Sequence, residues 1–122
     1  MKLIGNNNNN TIFLKKIRFI FEILVFSIIY THSAVPRYRE VWKYAKTKEN
    51  IFVDLSSSLY TNEKILLGVL ETLSAEKCLY GTDGPYAGAT QKRMLDRIVR
   101  LPCSDHEREK ILANNFLELI RQ

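Results

Sequence analysis

An α/β fold built on a parallel sheet is predicted by three features of the sequence. From about residue 23 onward, short apolar runs alternate with stretches of helical periodicity. The runs read apolar throughout, as strands covered on both faces do. Each pair of runs is separated by enough chain for a helix, and such crossovers are right-handed and make the strands parallel. The expected architecture is three βα units plus a terminal helix. At 122 residues, with 46% hydrophobic and 25% charged residues, the chain has room for one modest domain and is not a wholly disordered polymer.

The elements follow in order. The first run, ILVFSIIYT at 23–31, leads through HSAVP into a helix with Tyr38, Val41, Trp42 and Ala45 on one face. Trp42 and Tyr44 read as core and rim of that helix. The second run, IFVDL at 51–55, precedes SSSLYTN and a helix carrying Ile65, Leu66, Val69, Leu70 and Leu73, with Thr61 or Asn62 as its N-cap. The third, CLYGT at 78–82, precedes DGPYAG and a helix marked by Met94, Leu95, Ile98 and Val99. The last helix opens on Ser104-Asp105-His106-Glu107, a capping box in which Ser104 and Glu107 satisfy each other's helix-end donors. Ile111, Leu112, Phe116, Leu119 and Ile120 give it an apolar stripe.

Ahead of these units, Gly5 and the tract Asn6–Asn10 offer nothing to bury. Residues 1–22 are therefore expected to be an irregular Asn-rich leader, and 23–122 the domain. Residues 12–31 raise a membrane question. Their longest uncharged run, Ile23 to Pro36, is 14 residues, against about 20 for a spanning helix. A secretion signal has a basic start, an apolar core from Ile23 to Tyr30, and small residues at Ser33 and Ala34. The Ile, Val, Phe and Tyr content suits a buried strand better, so the strand leads, with a signal or membrane anchor through 12–31 as alternatives.

Net charge is +5, unevenly placed. Residues 1–50 hold nine Lys/Arg against three Glu; residues 51–122 hold nine against ten acidic residues. No zinc finger, aromatic RNA-binding strand or basic zipper accompanies the amino-terminal excess, so a solvated surface outranks nucleic-acid binding. Cys78 and Cys103 lack any metal-knuckle or C-x-x-C spacing; Cys78 falls in an apolar run and reads as a buried thiol. A reducing, cytoplasmic compartment is the simpler expectation.

Ligand sites of parallel sheets gather at the carboxyl ends of the strands. The first residues beyond the three runs are His32, Ser56 and Asp83, so an imidazole, a hydroxyl and a carboxylate share one rim. Imidazole and carboxylate there suit metal binding or general acid–base work. Each also has a plain alternative: His32 as a strand-end cap, Asp83 as the turn former of Asp-Gly-Pro. Ser56 heads a serine run and reads as loop or capping chemistry rather than a nucleophile, and His106 as surface.

Four segments, in order, carry a family resemblance. EKCLYGTDGPY at 76–86 resembles the eighth strand and Gly-Ser/Thr-Asp-x-Pro turn of amidohydrolase-related metal-dependent hydrolases, the barrel group that also includes decarboxylases. ENIFVDLSS at 49–57 is similar to their seventh strand, IIYTHSAVPRYREVWKYA at 28–45 to the sixth strand with its ligand histidine, and DHEREKILANNFLELI at 105–120 to the closing helix. The resemblance spans about residues 23–121. It implies a partial (β/α)8 TIM barrel, with strands resembling 6 to 8, in which His32 faces a divalent metal (zinc or manganese). Asp83 binds that metal or shuttles a proton for the nucleophilic water. A whole barrel needs roughly 200–250 residues, so these units look like the last three-eighths of one.

The departures matter equally. The family carries His-x-His on the first strand and a histidine on the fifth, whereas the histidines here are His32 and His106. A catalytic zinc site wants three protein ligands, and His32 with Asp83 supplies two. The expectation is hydrolase ancestry with little activity in isolation, and either self-association or a complementing chain to cover unpaired strand edges. A non-catalytic interaction protein is the competing expectation. An active form would take a small-molecule substrate.

Overall fold

Three parallel strands lie side by side in chain order, β1 (Ile28–Tyr30), β2 (Ile51–Asp54) and β3 (Cys78–Leu79). Ile28 registers with Ile51, and Val53 with Cys78. The computed structural model describes residues 26–121 together with Ile12, Lys15 and Lys16. The leader, the residues that would begin the first strand at 23–25, and most of the membrane or signal segment thus lie outside the described residues. Among the described residues, no helix is long and apolar enough to cross a membrane.

The helices form where the periodicity places them. α1 (Tyr38–Ala45) buries Trp42 and Ala45; α2 (Glu63–Leu73) buries Leu66, Val69 and Leu73; α3 (Gln91–Val99) buries Met94 and Ile98. Asn62, not Thr61, caps α2 by accepting the Ile65 N–H at 3.0 Å, and Thr90 caps α3 through the Arg93 N–H. Thr61 is instead fully buried. Leu95 and Val99 are exposed, so the buried stripe of α3 is narrower than predicted. One core unites the layers: Trp42, Val53, Leu55, Leu66, Val69, Cys78, Ile98, Leu101 and Ile111 pack together. Each fully buried aliphatic side chain there stabilises by ~1.5–3 kcal/mol.

The terminal helix departs most from the sequence pattern. Its capping box forms as expected, the Ser104 N–H donating to Glu107 Oε2 and the Glu107 N–H to Ser104 Oγ. After α4 (Asp105–Glu109) it widens into a π-helical turn over Lys110–Asn114 before α5 (Asn115–Arg121). The extra residue in that turn rotates everything after it. Ile111 stays in the core, but Phe116 and Ile120 face outward and Asn115 turns in.

The wide turn has a structural use. In parallel pairing, alternate residues face opposite edges of a strand. Leu79 O accepts from Leu55 N, just past the end of β2, at 2.8 Å, which turns Cys78 and Tyr80 to the outer edge. There Tyr80 N–H donates to Ile111 O at 2.8 Å, and Asn115 Nδ2 donates to Cys78 O at 2.9 Å and Ala75 O at 2.7 Å. The terminal helix therefore closes the outer edge of β3. It also limits β3 to two residues, where the sequence predicts a run to residue 82.

The opposite edge is different. β1 was expected to be covered on both faces, yet Ile28, Ile29 and Tyr30 are all exposed, as is Phe26. Nothing among the described residues lies beyond β1, so its apolar side chains and the Ile29 peptide groups have no neighbour there.

Candidate functional site

The carboxyl ends of the strands carry a cluster of unusual backbone. His32, Ser33 and Ala34 follow β1 with φ of 51°, 54° and 66°, Ser57 follows β2 with φ of 62°, and Asp83 follows β3 with φ of 58°. For non-glycine residues this left-handed conformation costs roughly 1–2 kcal/mol each. Among the described residues just one other non-glycine residue adopts it, Ser74. Such conformations persist where surrounding contacts over-determine them, and they concentrate at functional sites.

The contacts that hold the turn after β1 are visible. Trp42 Nε1 donates to Ser33 O at 2.8 Å, Thr61 Oγ1 to Ser33 Oγ at 3.3 Å, and Ser33 Oγ to Asp54 O at 3.4 Å. Asp54, the last residue of β2, acts as a clasp. Its Oδ1 accepts the Ser56 N–H at 2.8 Å and the His32 N–H at 3.4 Å, joining the ends of two strands. Gly81 makes room for that clasp. A Cβ at 81 would lie 3.1 Å from Ser56 Cβ and 3.3 Å from Asp54 Oδ1.

The side chains then converge. His32 Nδ1 is 2.9 Å from Ser56 Oγ, and His32 Nε2 is 3.7 Å from Asp83 Oδ2. The Tyr60 ring stacks on the imidazole with centroids 5.3 Å apart. His32 and Asp83 side chains each keep 27% of their surface exposed, so the pair is reachable from the rim. Asp83 also makes its turn, accepting the Tyr86 N–H on its carbonyl at 3.2 Å, so the turn geometry and the outward carboxylate coexist.

The rim predicted from strand order is thus assembled, His32, Ser56 and Asp83 together. Ser56 has an imidazole partner that sequence proximity did not offer, since the two residues are 24 apart. Asp54 and Tyr60 were not foreseen. Asp54 had one legible signal, a carboxylate ending an otherwise apolar strand. His106 is exposed at the terminal helix, away from this cluster, as expected.

A hydroxyl on Nδ1 and a carboxylate near Nε2 fix the imidazole plane and supply a base, an acid and two kinds of metal donor. Imidazole nitrogen and carboxylate oxygen are right in kind for zinc or manganese. In number they fall short: among the described residues, no three His, Cys, Asp or Glu side chains gather as a metal site. Cys78 adds nothing, being fully buried with its thiol pushed up to about 12 by burial.

A family model described as amidohydrolase matches residues 26–121. No curated protein and no solved structure gives a significant match.

Proposed function

Because the chain belongs to the amidohydrolase family, we propose that it forms the carboxyl-terminal share of a (β/α)8 hydrolase site, with His32 and Asp83 as its contribution to catalysis. One observation carries the reading: two residues held in left-handed backbone at the ends of β1 and β3 bring Nε2 and a carboxylate oxygen to 3.7 Å on the sheet's ligand-binding rim. In this reading β1, β2 and β3 correspond to barrel strands six, seven and eight.

His32 is the metal-facing imidazole. Ser56 on Nδ1 leaves Nε2 directed at the rim, and its hydroxyl serves either protonation state because it both donates and accepts. Asp83 accepts or returns a proton at its carboxylate, or shares the metal. A divalent cation held there would supply a water acidified toward neutral pH. The further ligands such a site needs would come from barrel units other than these three, reaching the rim from the β1 side, since the terminal helix occupies the outer edge of β3. The open β1 edge, with Phe26, Ile28 and Ile29 exposed, supports this, because it is where a fifth barrel unit would add.

The test is zinc and manganese binding by the full chain, read by native mass spectrometry so that metal content and assembly state appear together. His32→Ala and Asp83→Asn should each lower metal per chain in the assembled form. Metal uptake unchanged by both substitutions would overturn the assignment.

A further inference from the structure

A second cluster lies outside this rim. A groove of about 460 Å³ runs between the start of α2 and one side of α3, lined by Lys92, Arg93, Arg97 and Arg100, with the helix caps Asn62 and Thr90 at its head. Two carboxylates share the lining, Glu63 and Asp96. Asp96 is engaged by Lys92 at 2.8 Å, and this contact together with Arg100 holds its carboxyl below the usual range. Among the described residues, neither Arg93 nor Arg100 has a carboxylate within ion-pair distance. Arg97 is half-buried and donates through Nη2 to Thr61 O. Its charged form is disfavoured first by burial and then by Arg93, with Glu63 offsetting part of this.

Gathering like charges around a concavity costs Coulomb energy that an anion between them would reverse. Four cations and two carboxylates leave an excess of two positive charges. A phosphate monoester carries about −1.5 to −2 at neutral pH. Guanidinium groups present parallel N–H donors that match phosphate oxygens in pairs. We propose that this groove binds a phosphate group, carried by a small phosphate ester or a diphosphate. Arg93 and Arg100 form its sides, and Arg97, anchored on Thr61, forms its floor. Neither His32 nor Asp83 takes part.

Calorimetric titration of the full chain with inorganic pyrophosphate tests this, with chloride at matched ionic strength and citrate as controls. Saturable binding at one site per chain is expected. Replacing both arginines (R93Q with R100Q) should weaken it about ten-fold or more. Glu63→Gln should tighten it, a change in the opposite direction that loss of fold cannot imitate. Heat that follows ionic strength alone, equal binding of citrate, or binding indifferent to the arginine pair would overturn the site. So would binding confined to long nucleic-acid polyanions with a steep salt dependence.

Discussion

Ser56 Oγ sits 2.9 Å from His32 Nδ1, while the far side of the same ring faces Asp83. The hydroxyl can donate or accept, so it acts together with the carboxylate on the far side of the ring to set which imidazole nitrogen carries the proton. In the metal-free chain the arrangement favours a proton on Nε2, toward Asp83, with Nδ1 accepting from the hydroxyl. Ser56→Ala should convert one dominant tautomer into a mixture, seen in imidazole ¹⁵N shifts, while exposed His106 stays unchanged. An unaltered His32 spectrum would remove Ser56 from the site.

Two glycines separate a crowded position from a permissive one. Gly81→Ala forces its Cβ against Ser56 and Asp54, and should cost about 1–3 kcal/mol while disturbing the His32 resonances. Gly68 lies inside α2, where a Cβ would meet Trp42 Cζ3 at an ordinary 3.4 Å. Gly68→Ala should raise stability by roughly 0.5–1 kcal/mol. Urea unfolding curves of both variants should move in opposite directions; a shared direction would contradict the packing described.

Asn115 is buried and donates to two carbonyls. Asn115→Leu keeps the branched outline with added bulk, leaves Cys78 O without its side-chain donor and Ala75 O with the Cys78 N–H alone, and should cost about 1–3 kcal/mol. A loss under ~0.5 kcal/mol would mean that the helix does not hold the β3 edge.

The two thiols should respond unequally. Cys78 is buried and its thiol raised to about 12, burial being the main cause; Cys103 is half-buried and raised as well. A thiol-specific reagent should label Cys103 first, and Cys78 only on unfolding. Because the folded state keeps Cys78 neutral, its effect on stability is nil below pH 9. Stability then falls as pH rises from 9 toward 12, where the unfolded chain ionises and the folded one does not. Cys78→Ser, compared with the parent between pH 8 and 11, should flatten that decline.

The exposed β1 should govern association. Ile29→Lys places a charge on the open edge, the usual natural defence against edge pairing. Light scattering should show the parent chain associated and the variant shifted toward monomer. Equal masses would locate the contact elsewhere.

The sequence made much of this legible, and its failures share a cause. Strand order, the three helices, the capping box and the His32–Ser56–Asp83 rim all follow from local period and chain direction. The π turn over Lys110–Asn114 does not, because nothing in ILANN marks an extra residue. It is stabilised by the Tyr80 N–H, 31 residues or so away. Asn115 is buried for the same reason. The left-handed run at His32–Ala34 is equally unreadable, since its supports are Trp42, Thr61 and Asp54, all outside the local window.

The two ends of the sheet are chemically unequal, and this sets a valence. β3 is spent, its outward hydrogen bonds taken by Ile111 and Asn115; among the described residues β1 has no neighbour on its other side and is open to one more strand. A module with a single reactive edge works as a chain terminator. Two copies joined at β1 would exhaust each other, and a companion supplying further strands could attach from one direction alone. Sheet-edge growth therefore ends at a pair, and a filament would need some second surface to continue.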